Sequence, residues 1–384
     1  MKNFKKTIGL FLILSLVLSL GITGCGNSGG NGDAEATGSA EAAENNGSAD
    51  AADGKVYTWK VQGYSAAGTL QDTWGQNLVK AIEKFSNNRI QIEWYPVGSV
   101  VQSTEVPNAI RDGILDAEWG ISSNWKSLEY ATPLFCSIPG NFSDARDFVM
   151  WMKYGGGQEI WEEMLAKYNA VPMIGGVLDM EVFMWANKKA STLEDFKGLK
   201  LRMMPFMGEI LEDHGLSVVF IPGNEVVPGL ERKVIDGGEY GTRATDLSFG
   251  FPDVANYYNT PGVHQPCCAI EFVVNADKWN ELPDDLKEAV RMACDYNTFA
   301  TWNDSGAKEI EAIAKLEEMG VEQVKLDEAF VNDMLLWADE WMEENSKTDE
   351  YVARIKESHE AWGKKWYPFK EDNSLPYPDW AFEE

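Results

Sequence analysis

From residue 55 onward the chain switches between two spacings of apolar residues. Lys55 to Gln62 reads as a strand and runs into a small-residue loop, Gly63-Tyr64-Ser65-Ala66-Ala67-Gly68. Between Leu70 and Phe85 the spacing lengthens. Trp74, Leu78, Ala81, Ile82 and Phe85 recur at three and four residues and predict a helix with one buried face. Ile90 to Tyr95 alternates as a strand, Ser103 to Asp112 predicts a second helix, and Gly113 leads into a strand through Ile114 to Gly120. Strand, helix, strand, helix, strand is the order of an α/β unit built on a largely parallel sheet. The order returns later: Val218 to Ile221 a strand, Asn224 to Arg232 a helix, Val234 to Tyr240 a strand entering a loop. Leu230 to Gly241 echoes Ile110 to Gly120, which suits two similar lobes facing one another across a cleft. Two long helical patterns follow, Asp284 to Glu318 and Asp327 to Trp366. Both are too polar for core elements and too amphipathic to stand free, so they predict helices packed along the lobes or against a second subunit, as in a homodimer.

The N-terminal stretch belongs to none of this. Met1 to Lys6 is short and basic, Ile8 to Leu20 is predominantly apolar and uncharged, and Gly21-Ile22-Thr23-Gly24-Cys25 is mostly small. A permanent span needs about 20 apolar residues, so this is the pattern of a secretory signal peptide. Its ending resembles the bacterial lipobox, which implies an extracytoplasmic protein held on the cell membrane by a lipid on Cys25; an ordinary signal cut nearby would leave a plain cysteine. Gly26 to Gly54 is Gly, Ser, Ala, Asn and acids, unable to bury enough surface to fold. As a flexible tether of about 29 residues it reaches on the order of 30 Å. About 330 residues remain, enough for two cores. The expected organisation is residues 1–25 as signal, 26–54 as tether, 55–178 plus 268–308 as lobe I and 179–267 as lobe II. Residues 309–384 are expected to form C-terminal helices packed on the lobes or on a partner subunit.

Charge narrows the partners. With 33 basic and 61 acidic residues the net charge is −28, and −31 once Lys2, Lys5 and Lys6 leave with the signal. That argues against nucleic acid and against an anionic membrane surface, and it means an anionic ligand must be captured by local groups. Cys136, Cys267, Cys268 and Cys294 show no disulfide framework and are expected as buried thiols. His359 is expected at the surface of the tail helix and His214 at a helix end, where a cation suits the dipole. No nucleophile elbow, zinc-binding His-Glu-x-x-His helix, Cys-x-x-Cys pair or phosphate loop occurs, and Gly155-Gly156-Gly157 lacks the Lys-Ser/Thr that a phosphate loop requires. A binding protein is therefore expected rather than an enzyme. The alternative is a lipid-anchored enzyme acting on carboxylates or sugars, with a site assembled from distant residues. Most of the fifteen tryptophans read as core. Trp125 is the exception, since it lies just past a predicted strand end, where open α/β sheets place ligands.

The run Leu193-Glu194-Asp195-Phe196-Lys197-Gly198-Leu199-Lys200-Leu201-Arg202 resembles the segment that introduces the substrate arginine in solute-binding proteins of tripartite ATP-independent periplasmic (TRAP) transporters. The stretches from Pro222 to Tyr240, Gly250 to Tyr258, Pro261 to Gln265 and Glu271 to Asn275 follow at that family's spacing, and the likeness extends over about Thr58 to Asp304. It is nearest to the branch that binds 2-oxo or 2-hydroxy acids with a metal ion. The resemblance implies a two-lobed α/β receptor with the ligand between its lobes, no chemistry on the ligand, and an integral-membrane TRAP permease as partner. Arg202 would take the carboxylate of a small organic anion, its planar fork of donors matching that group in two parallel bonds. Taken alone, Arg202 in so acidic a chain reads first as a surface salt bridge, and it is the resemblance that turns the reading to carboxylate binding. Glu239 and Gln265 fall where the branch places cation ligands, and Glu181 falls where it usually has Gln. All three offer hard oxygen atoms, suited to calcium or sodium, and two carboxylates favour a divalent ion. Tyr240 stands where the branch usually has Trp. Arg243 offers a second anion contact, which would suit a dicarboxylate or sugar acid.

Overall fold

The computed structural model describes Gly54 to Pro378 and Ala381; the signal segment, Cys25 and residues up to 53 lie outside the described residues. Among the described residues eleven strands form two sheets. They are β1 (Tyr57–Gly63), β2 (Ile90–Tyr95), β3 (Ala117–Gly120), β4 (Ala170–Leu178), β5 (Met184–Ala186), β6 (Lys200–Arg202), β7 (Ser217–Val219), β8 (Gly237–Gly238), β9 (Tyr257–Thr260), β10 (Cys268–Asn275) and β11 (Glu322–Lys325). The first sheet runs β2-β1-β3-β10-β4 and the second β11-β9-β5-β8-β6-β7. In the first, β1 pairs in parallel with β2 and β3, and β3 meets β10 antiparallel. In the second, β6 pairs in parallel with β7 and β8, and β8 meets β5 antiparallel. The two halves share one layout, as the repeated sequence pattern suggests. Glu322–Lys325, in the expected C-terminal region, adds a parallel edge strand beside β9.

Local chemistry sets the element ends. The helix Leu70–Phe85 starts where the Thr69 side chain accepts from the Asp72 N–H, carries Asp72 in its first turn and Lys84 in its last, and buries Trp74, Leu78, Ala81 and Ile82. The helix expected over Ser103 to Asp112 begins as a 3-10 turn, Ser103–Glu105, and becomes α-helical at Val106–Arg111 with a proline in its first turn. The counterpart in the other half repeats this, with Gly223–Glu225 leading into Val226–Glu231. The expected strand at Val234 to Tyr240 shrinks to Gly237–Gly238. A Cβ on Gly237 would lie 2.9 Å from the Met184 sulfur and one on Gly238 2.6 Å from Val226, so only glycine lets β8 slot between β5 and β6.

The helix Asp284–Glu318 forms as expected and is about 52 Å long. It spans both halves: Asn297 donates to the Gly175 carbonyl at 2.9 Å beside β4, and farther along Glu309 accepts from the Ala244 N–H. The pattern expected as one helix from Asp327 to Trp366 is two, Glu328–Asn345 and Glu350–Asp372. His359 is a correction: it is buried, its ring 4.9 Å from Phe142 and 5.9 Å from Trp151, and burial pushes its pKa down to about 4. Cys136, Cys267, Cys268 and Cys294 are free thiols, all buried.

Candidate ligand and cation site

Arg202 ends β6, between Val219 of β7 and Gly238 of β8, at the C-terminal edge of parallel strands where α/β sheets gather ligands. Glu239 follows β8 directly. Glu181 lies on the crossing between β4 and β5, which two distant loops hold in place: the Glu181 N–H donates to the Gln265 carbonyl at 3.1 Å and the Val182 N–H to the Gly241 carbonyl at 2.9 Å. Gly262 makes the first of these contacts feasible. A Cβ there would fall 2.1 Å from the Glu181 carbonyl oxygen. The turn that follows carries His264 and Gln265 into the same place, so segments about sixty and about eighty residues farther along the chain meet Glu181 around one point.

Arg202, Glu181, Glu239, His264 and Gln265 are all buried, Glu239 with no exposed surface at all. The Arg202 guanidinium donates through Nε to the Ile221 carbonyl (3.2 Å) and through Nη1 to the Glu239 carbonyl (2.7 Å), while Nη2 faces the Met204 sulfur at 3.8 Å. Its Nη1 also lies 2.7 Å from Glu239 Oε2, a contact between charges that lacks hydrogen-bond geometry. Gln265 Nε2 donates to Glu181 Oε1 at 2.9 Å. Glu181 Oε2 and both Glu239 carboxylate oxygens are left buried without a hydrogen bond, as are both ring nitrogens of His264.

Buried polar atoms without partners are costly, and five of them on three side chains around one point mark a place where something else is received. Ligand atoms of Glu181, Glu239 and His264 lie within 4.8 Å of one another, which is the only such cluster among the described residues. His264 Nε2 is 3.4 Å from Glu181 Oε2 and 3.9 Å from Glu239 Oε2. Burial raises the pKa of Glu181 to about 8, against the Cys268 thiol, Arg202 and Gln265, which hold it down. Burial raises Glu239 too, opposed by Arg202 and His264. His264 is pushed down to about 4, chiefly by burial, and is neutral at pH 7. Carboxylates that resist ionising alone, a neutral imidazole and a carboxamide fit a hard cation, whose charge offsets the burial.

The cluster opens on a cavity with about 40 Å³ of space for water-sized groups. Tyr64, Gln71 and Asn124 line it from the first half, Glu181, Arg202 and Tyr240 from the second. The Tyr240 ring is seated against Gly223, where any Cβ would fall 2.3 Å from it. A wider pocket of about 520 Å³, lined by Lys126, Glu209 and Phe220 among others, adjoins it.

The structure thus brings Arg202, Tyr240, Glu181, Glu239 and Gln265 together. It places Trp125 and Arg243 elsewhere. Trp125 is fully buried and does not line the cavity, because its indole N–H is held by two buried carboxyls, donating to Glu118 of β3 (2.8 Å) and Glu271 of β10 (3.1 Å). Arg243 Nη1 pairs with Glu309 of the long helix at 2.8 Å and its guanidinium stacks toward Tyr258, outside the cavity lining. His264 and Gln71 carry no distinguishing mark in the sequence. His264 adjoins Gln265, and that proximity was the one available signal.

Residues 62–346 match the family model described as bacterial extracellular solute-binding protein, family 7. A monocarboxylate 2-oxoacid-binding periplasmic protein of Nostoc sp. is 24% identical over 306 residues, 80% of this chain and 84% of the relative. A TRAP periplasmic solute-binding protein of Pseudoalteromonas atlantica, solved with bound sodium and pyruvate, superposes with a TM-score of 0.76 at 25% identity, covering 84% of this chain and all of that one. One from Colwellia psychrerythraea, with bound calcium and pyruvate, gives 0.75 at 26% identity over 83% of this chain and all of that one. With the family model spanning well over half of its length, the chain belongs to the family 7 extracellular solute-binding proteins, the receptors of TRAP transporters.

Proposed function

We propose that the chain captures a small 2-oxo or 2-hydroxy monocarboxylate together with a hard cation, calcium above all, and delivers it to the membrane permease subunits of a TRAP transporter. The observation that carries this reading is the convergence of Arg202, Glu181 and Gln265 on one buried cavity, with the buried Glu239 carboxylate 2.7 Å from the Arg202 guanidinium. Arg202 engages two carbonyls and has further N–H groups for a carboxylate, to which a guanidinium binds in two parallel bonds. Glu181 and Glu239 by themselves repel an anion. A cation held by Glu181, Glu239 and Gln265, with His264 Nε2 in reach, would supply the charge that makes the same wall attractive to a substrate oxygen. Two carboxylates with oxygen-rich company suit calcium better than a soft metal.

Size and charge narrow the ligand. The cavity is small, with about 40 Å³ of space for water-sized groups. This fits an acid of three or four carbons better than a sugar acid. With Arg243 committed to Glu309, Arg202 is the one cation among the cavity-lining residues, which disfavours a dicarboxylate. The pyruvate-bound relatives support the same class. The receptor returns its ligand unchanged, since the family consists of binding proteins. A lipid on Cys25 followed by a tether would keep it beside its permease.

Calorimetric titration with pyruvate tests the reading in three arms: protein stripped with chelator, protein loaded with calcium, and calcium-loaded Arg202 variants. Binding is expected in calcium and strongly weakened after chelation. Arg202→Ala should lose about a hundredfold or more, as removal of one side of a buried charge contact does. Arg202→Lys keeps the charge but not the fork and is expected to lose much of the affinity as well. Equal affinity in chelator and calcium refutes the cation role, and wild-type affinity in both variants refutes the carboxylate role.

A further inference from the structure

Gln71 is the second residue of the helix Leu70–Phe85, lines the cavity and is 2% exposed, yet its Oε1 has no hydrogen-bond partner. The carboxylate and cation arrangement does not use it, since none of the hydrogen bonds of Arg202, Glu181 or Gln265 involves it. Besides apolar Ile121 and Leu178, the first half of the molecule contributes neutral hydrogen-bonding groups to the lining, Tyr64, Ser103, Thr104 and Asn124, and no charge. Tyr64 stays a phenol, its pKa raised well above the ordinary value by burial and then by the proximity of Tyr240, Cys268 and Glu181. A buried acceptor left unpaired is unfavourable and signals a donor still to come.

We infer that the acid bound here carries a hydroxyl beyond its carboxylate and C2 oxygen, received by Gln71, so that the ligand class is the hydroxylated three- or four-carbon monocarboxylates, of which glycerate and 3-hydroxypyruvate are the simplest. This rests on the carboxylate reading above and extends it to the far end of the ligand. A hydroxyl both donates and accepts, so it satisfies a carboxamide whichever of its two ends faces the cavity. A methyl group would leave the Gln71 acceptor unpaired, and a second carboxylate would be desolvated against neutral groups with no cation to meet it.

The test is calorimetry on calcium-loaded protein with two matched pairs, pyruvate against 3-hydroxypyruvate and lactate against glycerate, and with malate as the acid bearing a second carboxylate. The hydroxylated member of each pair is expected to bind about tenfold tighter, the worth of one hydrogen bond to a buried acceptor. Malate is expected to bind more weakly than glycerate. Gln71→Met, which keeps the side-chain length, should erase the preference by weakening the hydroxylated member of each pair about tenfold, and detectable pyruvate binding reports that the variant is folded. Equal affinity within each wild-type pair, malate matching glycerate, or a preference that survives in Gln71→Met overturns the inference while leaving the carboxylate reading in place. Binding of none of these acids overturns both.

Discussion

Glu118 of β3 and Glu271 of β10 are fully buried carboxyl groups on adjacent antiparallel strands, and both accept from the one indole N–H of Trp125. Gly120 makes room for them, since a Cβ there would lie 2.4 Å from Glu118 Oε2. Two carboxylates cannot both ionise at this spacing without a cation. Burial lifts Glu118 to about 8 and raises Glu271 well above the carboxylate range, the latter further through Glu118 itself. The folded pKa values exceed the unfolded ones, so the folded state binds more protons over the interval between them. The contribution of the pair to stability is fully present below the unfolded value, near 4.5, and is lost as pH rises through about 8. Replacing both with Gln removes that slope. Wild-type melting temperature should fall more than that of the double variant between pH 5 and 8.5, by about 1–2 °C for each kcal/mol involved. Parallel curves in scanning fluorimetry would sink the idea. Trp125 shows where residue-level reading runs out. Its place after a strand is legible in the sequence, whereas the side toward which it turns depends on two carboxyls seven and 146 residues away. Arg202, Glu239 and Gln265 were legible because they lie in recognisable local patterns. His264 and Gln71 differ from core polar residues only by what they face, and long-range packing decides that.

Helices and strands differ in how far their own residues determine them. Leu70–Phe85 and Asp284–Glu318 follow from periodicity because many spaced apolar positions act together. The strands β5, β8 and β11 are four residues or fewer, and their pairing partners lie at distant positions, so no local period reveals them. The break between Glu328–Asn345 and Glu350–Asp372 is an intermediate case. Apolar spacing continues across it, but the Asp349 side chain accepts from the Val352 N–H at 2.9 Å and starts a new helix there, with Ser346 ending the previous one. Capping wins because it satisfies backbone donors that a helix start otherwise leaves open. Asp349→Ala should cost about 1 kcal/mol, a fall of about 1–2 °C in melting temperature, with ligand affinity unchanged. A melting temperature equal to wild type would mean that packing of Val352 and Ile355, rather than the cap, sets this boundary.

At the scale of the molecule, β2-β1-β3 and β7-β6-β8 present the same arrangement twice, and the chain passes between the two sheets more than once. The ligand residues collect where it passes: Glu181 on the way out of the first sheet, Gln265 on the way back. The opposite rim of the cleft is held by different contacts. Glu209, on the helix Pro205–Asp213 of the second half, pairs with Lys126 and accepts from the Tyr130 hydroxyl at 3.0 Å and the Trp341 indole at 3.3 Å. Lys126 and Tyr130 follow β3 of the first half, so Glu209 ties the halves together beside the wider pocket, without touching the cation cluster. A contact made only when the halves are close favours the closed state by its own free energy and shifts the population accordingly. Its groups are partly exposed, so the effect is modest and weakened by salt. Glu209→Ala should therefore enlarge the radius of gyration of the ligand-free protein in small-angle scattering, and should speed ligand release about fivefold with little change in the association rate, more so at low salt than at high salt. Unchanged scattering together with unchanged release would show that the long helix, which spans both halves, sets the opening of the cleft by itself.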